Sequence, residues 1–262
     1  MEKFRCFAPE LLGKGSGFRP EFFKTLASLE ADSFWFRARN GIIIWALGNY
    51  FPLARSFLEI GCGTGFVLSG ISKAYPHLSV SGSDVFVESL AFAEERVPEA
   101  SLMQMDARKI PFSEHFDVIG AYDVLEHIQE DETVIAQMHK ALKPGGGLLL
   151  SVPQHPWLWS PLDDYARHAR RYTESELKEK LGRAGFAIVR STSFVSFLLP
   201  CMWLSRLYRR KRNIHPDSES EFDISPRLNR MLERVLRLEK KLIEEGVSFP
   251  LGGSRLIAAR RV

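Results

Sequence analysis

The feature that most constrains this chain is the run Phe57-Leu-Glu-Ile-Gly-Cys-Gly-Thr-Gly-Phe66. An apolar, strand-like segment feeds straight into Gly61-x-Gly63-x-Gly65, and a helical pattern begins at Phe66. Glycines at such a junction let the backbone turn tightly and approach a ligand at the strand's C-terminal end. A dinucleotide fingerprint would need its third glycine at position 66, where this chain has Phe, and it would place no acid beside the pyrophosphate. Here Glu59 sits two residues before Gly61, a position that suits a cationic ligand better than an anionic one.

From this junction onward, β-rich runs alternate with amphipathic stretches. Strands are predicted at 56–61, 78–84, 101–106, 116–122, 147–152, 186–192 and 254–260, with helical patterns at 86–96, 131–142 and 174–184. That alternation reads as βαβ units around a mostly parallel sheet. Thr173 with Glu176 forms a capping-box start for the helix at 174. Ser225-Pro226 opens a long helix, with Leu228, Met231, Leu232, Val235, Leu238 and Leu242 as its predicted apolar stripe.

Two further acids stand at predicted strand ends. Asp84 closes the second strand, where a carboxylate can accept hydrogen bonds from both ribose hydroxyls, and Val85 follows it. Asp106-Ala107 closes the third, where an acid can take an adenine amino group and Ala leaves room for the ring. Either Asp alone would serve as well as a helix cap or a solvated turn residue. An acid at each of three successive strand ends points to one nucleoside ligand.

The segments FLEIGCGTGF, GSDVF, MDARKIPF, FDVIGAYDVLEHI and LKPGGGLLLSVP together resemble the successive motifs of class I S-adenosylmethionine-dependent methyltransferases, in particular the bacterial small-molecule and lipid-type branch. The resemblance covers about residues 35–195. It implies a Rossmann-like α/β fold with a seven-stranded sheet, the last strand antiparallel, and helices on both faces. It also implies S-adenosylmethionine as cofactor and S-adenosylhomocysteine as product. Glu59, Gly61, Cys62, Gly63 and Gly65 would then contact the methionyl end, Asp84 and Val85 the ribose, and Asp106 with Ala107 the adenine. Tyr122 and Asp123 would line the methyl-donor side.

The run Phe34-Trp35-Phe36-Arg37-Ala38-Arg39 resembles a segment that lies over the cofactor in many relatives. Trp35 would cover the ring, and Arg37 or Arg39 would pair with the cofactor carboxylate. Ordinary amphipathic packing is the alternative. The expected organisation is a helical cap at 1–50, a core at 51–193 and 254–262, and a basic helical insertion at 194–253.

Methyl transfer is an in-line displacement that runs without a metal ion, and none is expected. Positioning supplies much of the rate, with a general base where the acceptor carries a proton. His127, after the fourth predicted strand, is one candidate base; it serves equally well as a local helix-start residue. The segment from Pro153 to Tyr172 is rich in groups suited to an acceptor pocket. It supplies His155 and His168 as candidate bases and Trp159, Arg170, Arg171 and Tyr172 as candidate acceptor contacts. A solvent-exposed network of Asp163, Asp164 and the arginines is the alternative. No Asn/Asp-Pro-Pro-Tyr follows the fourth strand, which argues against methylation of adenine or glutamine nitrogens.

Charge is uneven. Residues 196–262 carry 14 Lys/Arg against 8 Asp/Glu, whereas residues 1–195 carry 21 against 24. No run of interleaved basic and aromatic residues marks a nucleic-acid groove, so no nucleic-acid partner is expected and a small-molecule or lipid-like acceptor is the default. The apolar run 194–204 is too short, and too interrupted by Ser196 and Pro200, to span a bilayer. With the basic cluster that follows, segment 194–212 reads as a contact with an anionic membrane surface, a lid over the acceptor, or a subunit interface. Three scattered cysteines and the lack of an apolar leader lead to an expected cytoplasmic location, peripheral to the membrane if 194–212 binds it. A non-catalytic cofactor-binding protein is the alternative function. A nicotinamide-dependent oxidoreductase is disfavoured by Phe66 and Glu59.

Overall fold

The computed structural model describes residues 4–12, 22–211 and 224–262. Eight strands form a single sheet: β1 (Arg5–Cys6), β2 (Ser56–Ile60), β3 (Ser79–Asp84), β4 (Ser101–Gln104), β5 (Phe116–Tyr122), β6 (Leu142–Pro153), β7 (Phe186–Phe194) and β8 (Ser254–Arg261). Their order is β1-β4-β3-β2-β5-β6-β8-β7. All neighbours from β1 to β6 run parallel, and β8 is antiparallel to both β6 and β7. The antiparallel last strand is as expected. The strand count is corrected from seven to eight, because Arg5–Cys6 pairs with Met103 and Gln104 on the edge of the sheet. Gln104 fixes that pairing by bonding the Ala8 backbone through both ends of its amide, at 3.0 Å each. A two-residue strand is too short to show the alternation by which strands are recognised.

Helices cover both faces. They are α1 (Phe22–Leu29), α2 (Phe34–Tyr50), α3 (Phe66–Ala74), α4 (Val87–Arg96), α5 (Asp131–Ala141), α6 (Pro161–Tyr165), α7 (Glu174–Arg183), α8 (Leu199–Lys211) and α9 (Pro226–Glu244). On one face Ile135, Met138, Leu177 and Leu181 of α5 and α7 pack on Leu148, Leu150 and Ile257. On the other, Ile43 and Leu47 of α2 and Leu236 and Ile243 of α9 pack with Phe57, Leu149 and Leu256. Burial of these apolar side chains on both faces is what makes the central strands continuously hydrophobic.

Two local expectations about the segment before β8 are revised. The stripe predicted for α9 is turned only partly inward: Leu232 and Val235 pack against the core and Leu242 is half-buried, whereas Leu228, Met231 and Leu238 are exposed. The buried positions are Glu233, Leu236, Glu239 and Ile243. Polar partners select that face. Glu233 pairs with Arg37 at 2.6 Å and Glu239 accepts the Phe197 N–H at 2.7 Å, so these acids turn inward. Pro200 does not interrupt α8, since it occupies the first turn, where a missing N–H costs nothing. Arg212 of the basic cluster and the polar stretch 213–223 lie outside the described residues.

Candidate active site

A cavity of about 810 Å³ opens across the C-terminal ends of β2 to β6. This is where parallel α/β sheets bind ligands, because the strand-to-helix loops diverge there. Glu59, Gly61, Cys62, Gly63, Asp84, Val85, Asp106, Ala107, Tyr122 and Asp123 all reach its wall, together with Trp35, His127, His168 and Arg171.

The glycine loop has the local geometry its sequence implies. Gly63 is left-handed at φ +53°, and a methyl group built there would find open cavity, touching only the Phe23 ring at 4.0 Å. Its N–H donates to Asp84 Oδ2 at 2.9 Å, while Phe86 N–H donates to Asp84 Oδ1 at 3.0 Å. Asp84 thus ties two strand ends together. Burial pushes its carboxyl up to about 6, against the pull of those two N–H donors. Gly65 plays a different part and does not reach the cavity. At φ +75° it lies where a Cβ would meet the Ala93 backbone at 2.9 Å, so it permits α3 to pack on α4.

Glu59 is the most telling group. It is 2% exposed, and its Oε2 has no hydrogen-bond partner. Burial drives its carboxyl well above the usual carboxylate range, with Arg39 opposing and Asp84 and Glu30 reinforcing the shift. The Tyr122 hydroxyl, also buried, is likewise without a partner. That hydroxyl packs over Gly120 beside the Phe57 ring, whereas Glu59 lines the cavity. Buried polar atoms are almost always satisfied, so the orphan oxygen of Glu59 could accept from a ligand that donates hydrogen bonds or carries positive charge. Asp106 is already engaged, its carboxylate meeting Arg108 Nε at 3.0 Å. Burial raises the Cys62 thiol, which keeps it protonated beside the loop.

The aromatic segment is helical and divides its residues between two faces. Phe34, Trp35, Phe36 and Arg39 line the cavity. Arg39 bonds the Asp123 carboxylate and lies over the Trp35 ring, 4.7 Å from its centroid. Arg37 is carried to the opposite side, where Glu233 of α9 holds it. Of the two arginines between which the sequence left the choice open, only Arg39 faces the cavity.

The segment after β6 is also divided. Asp163 is 1% exposed and receives His168 Nδ1 at 2.9 Å and Arg171 Nε at 2.7 Å. Burial alone would raise its carboxyl, but His168 and Arg171 overcome that and hold it down to about 2. The expected ion-pair network therefore exists but is buried, with exposed Asp164 outside it accepting from Trp159 Nε1. His155 does not reach the cavity wall; its ring stacks on Trp157. Trp159 lies outside as well, because Asp164 holds its indole at the surface. Arg170 is fixed by Gln129 and Asp131, and the Tyr172 hydroxyl donates to Asp131 at 2.7 Å, so both support α5 and do not face the cavity. At the far end Leu198, Met202 and Arg206 of the segment through α8 close the wall, and Arg206 bonds the Leu158 carbonyl.

Several contributors were not singled out from sequence. Glu30, 5% exposed, receives Thr64 Oγ1 and Arg96 Nη1, each at 2.6 Å, and Phe22 and Phe23 of α1 also reach the cavity. No local pattern marks them, since each acts through a partner at least 30 residues away.

An α/β sheet with a glycine-lined cavity and an acid at each of three adjacent strand ends defines a nucleoside-cofactor protein. The family described as "Methyltransferase domain" matches residues 35–191, and the chain belongs to it. Its class is accordingly that of the S-adenosylmethionine-dependent methyltransferases. A probable S-adenosylmethionine-dependent methyltransferase of Mycolicibacterium smegmatis is 27% identical over 170 residues, which are 63% of this chain and 64% of that protein. A malonyl-acyl-carrier-protein O-methyltransferase of Priestia megaterium is 30% identical over 105 residues, 39% of this chain and 38% of the relative. The chain thus spans less than two thirds of the curated relatives it matches. Among solved structures, phosphoethanolamine N-methyltransferase 2 of Haemonchus contortus in complex with S-adenosyl-L-methionine shares the fold, with a TM-score of 0.60 at 19% identity over 95% of this chain and 60% of that one.

Proposed function

We propose that this chain transfers a methyl group from S-adenosylmethionine to a small-molecule or lipid-like acceptor. The observation that carries the reading is the orphaned buried oxygen Oε2 of Glu59, a residue that lines the cavity together with Asp84 and Asp106. Glu59 would receive the cofactor's ammonium, which returns a buried carboxyl to its ionised form. Asp84 would accept the ribose hydroxyls and Asp106 with Ala107 the adenine. Trp35 would cover the site, and Arg39 would hold the cofactor carboxylate.

When bound, the cofactor supplies a sulfonium methyl group for displacement by an acceptor lone pair, the C–S electron pair leaving with sulfur. The protein's part is to align the two partners and exclude water, which supplies much of the rate. Of the candidate bases, His127 and His168 stand at the cavity, and Asp163 orients the His168 ring. Arg171 is committed to Asp163 and to the Gln154 carbonyl, and so supports that orientation more than it binds an anionic acceptor. The segment through α8, with Leu198 and Met202 turned inward, would form an apolar wall for the acceptor. Among the described residues no helix is long and apolar enough to cross a membrane.

Calorimetry decides the cofactor. S-adenosylhomocysteine is expected to bind and NADH not to, with Glu59→Gln weakening the first by about tenfold or more, the worth of a charge-assisted hydrogen bond. Binding of NADH, or unchanged affinity in Glu59→Gln, would overturn the assignment. A screen of candidate acceptors with labelled donor then tests turnover.

A further inference from the structure

Beside the proposed methyl-transfer site, Glu126, His127 and His168 converge on one point of the cavity wall. Each offers a ligand atom, and these atoms lie within 4.8 Å of one another. They come from two separate segments, the turn Leu125–His127 after β5 and the loop after α6. Ala169 N–H binds the Glu126 carbonyl at 2.6 Å and so fixes His168 against that turn. The two imidazoles meet edge to face with ring centroids 4.7 Å apart.

Glu126 is the group that calls for a ligand. It is 0% exposed, and neither carboxylate oxygen has a hydrogen-bond partner. Leaving both oxygens of a buried carboxyl without a hydrogen-bond partner is costly, and among the described residues no other side chain donates to it. The histidines, by contrast, are already oriented in the manner of metal ligands. His168 gives Nδ1 to Asp163 at 2.9 Å, which leaves Nε2 as its second nitrogen, and His127 bonds the Ala166 backbone. A ring nitrogen held by a carboxylate or backbone carbonyl is the usual outer support of a ligating histidine.

We propose that Glu126, His127 and His168 bind one divalent transition-metal ion at the cavity wall. Two imidazole nitrogens and one carboxylate favour an ion of the zinc, manganese or cobalt kind over calcium or magnesium, which take oxygen ligands. Three protein ligands leave positions open toward the cavity. An ion there would hold an acceptor hydroxyl and make its oxygen a better nucleophile. That role rests on the methyl-transfer reading above, whereas binding of the ion does not. With the ion in place the two histidines act as ligands, and the acceptor proton leaves to solvent.

The test uses the untagged full chain, stripped with chelator and titrated with Zn²⁺, Mn²⁺ and Co²⁺, alongside separate titration with S-adenosylhomocysteine. About one equivalent of ion is expected per chain, with visible absorption for Co²⁺. Glu126→Gln and His168→Asn should each weaken ion binding by about tenfold or more, the least that loss of a ligand or its support costs. Retained S-adenosylhomocysteine binding would show that the variants are folded. Wild-type protein that binds S-adenosylhomocysteine but none of the three ions overturns the proposal, as do variants that bind ions as tightly as wild type. Ion binding without S-adenosylhomocysteine binding supports the metal site and removes the methyl-transfer reading instead.

Discussion

Arg96 Nη1 lies 2.6 Å from Glu30 Oε2, and through that pair the segment between α1 and α2 is locked to α4. Arg96 also donates to Thr64 Oγ1 at 2.9 Å and to the Ala27 carbonyl at 2.8 Å. One guanidinium therefore joins the glycine loop, α1 and the entry to the aromatic segment. Replacing Arg96 by Met leaves Glu30 buried without its cation, a change worth about 3 kcal/mol for a well-buried pair and less here because Arg96 is partly exposed. The variant is expected to lose thermal stability and to bind S-adenosylhomocysteine more weakly, since α1 contributes Phe22 and Phe23 to the cavity. Thermal melts and calorimetry on the same sample check both.

The loop glycines should separate stability from binding. Gly65→Ala forces a Cβ against the Ala93 backbone at 2.9 Å in a left-handed conformation, so a loss of about 2 kcal/mol or more in unfolding free energy is expected. Gly63→Ala meets only open cavity, so beyond the left-handed backbone cost of about 1 kcal/mol its effect should fall on the ligand. Denaturant unfolding with and without S-adenosylhomocysteine distinguishes them. Equal loss of stability in both variants would contradict the geometry.

Asp84 gives a pH dependence of known sign. In the native protein its carboxyl holds a proton up to about 6, whereas an ordinary aspartate gives its proton up near 3.8. The native state therefore binds more protons than the unfolded state between these values, and ligand-free stability falls as pH rises through about 6, by up to about 3 kcal/mol from this group. Ligand binding runs the other way if the ribose hydroxyls bond the ionised carboxylate. Affinity should then weaken by up to about tenfold per unit as pH falls below 6. Melts with and without S-adenosylhomocysteine at pH 5 and 7.5 should show a smaller ligand-induced rise in Tm at the lower pH. In Asp84→Asn the Asp84 share of that difference should vanish.

The parts of the fold written in local pattern were legible, and those set by distant partners were not. The strand at 116–122 matches β5 residue for residue because its apolar run is bounded on both sides by polar turns. The core strand predicted from 147 begins at Leu142, since Leu142 pairs with Phe116 across a register shift. Glu59, Asp84 and Asp106 could be singled out because strand-end acids stand beside recognisable turns. Arg37 and Arg39 are two residues apart in sequence and were indistinguishable until Glu233 took one and Asp123 the other. The same holds for α9, where no local pattern singles out Glu233 and Glu239, which are buried by partners on α2 and at Phe197.

His155 and His168 were equivalent candidates in sequence, and the structure separates them. His168 stands at the cavity with its Nδ1 on buried Asp163, while His155 stacks on Trp157 away from the wall. Burial, together with Arg255 and Arg171, also lowers the pKa of His155, as suits an imidazole that stays neutral in a structural setting. His168→Asn is expected to cut turnover on a true acceptor by about 10²-fold, the lower end for loss of a group acting directly on the acceptor, whether it takes the proton or helps hold an ion. Its affinity for S-adenosylhomocysteine should stay within about threefold of wild type, because the proposed cofactor contacts are Glu59, Asp84 and Asp106 and His168 is not among them. His155→Ala should leave turnover within the same margin and cost stability through the lost stacking, about 1 kcal/mol. Steady-state rates with labelled donor, set against calorimetric affinities, decide the assignment. A His155→Ala variant with the larger loss of turnover would return the chemistry to the loop before α6.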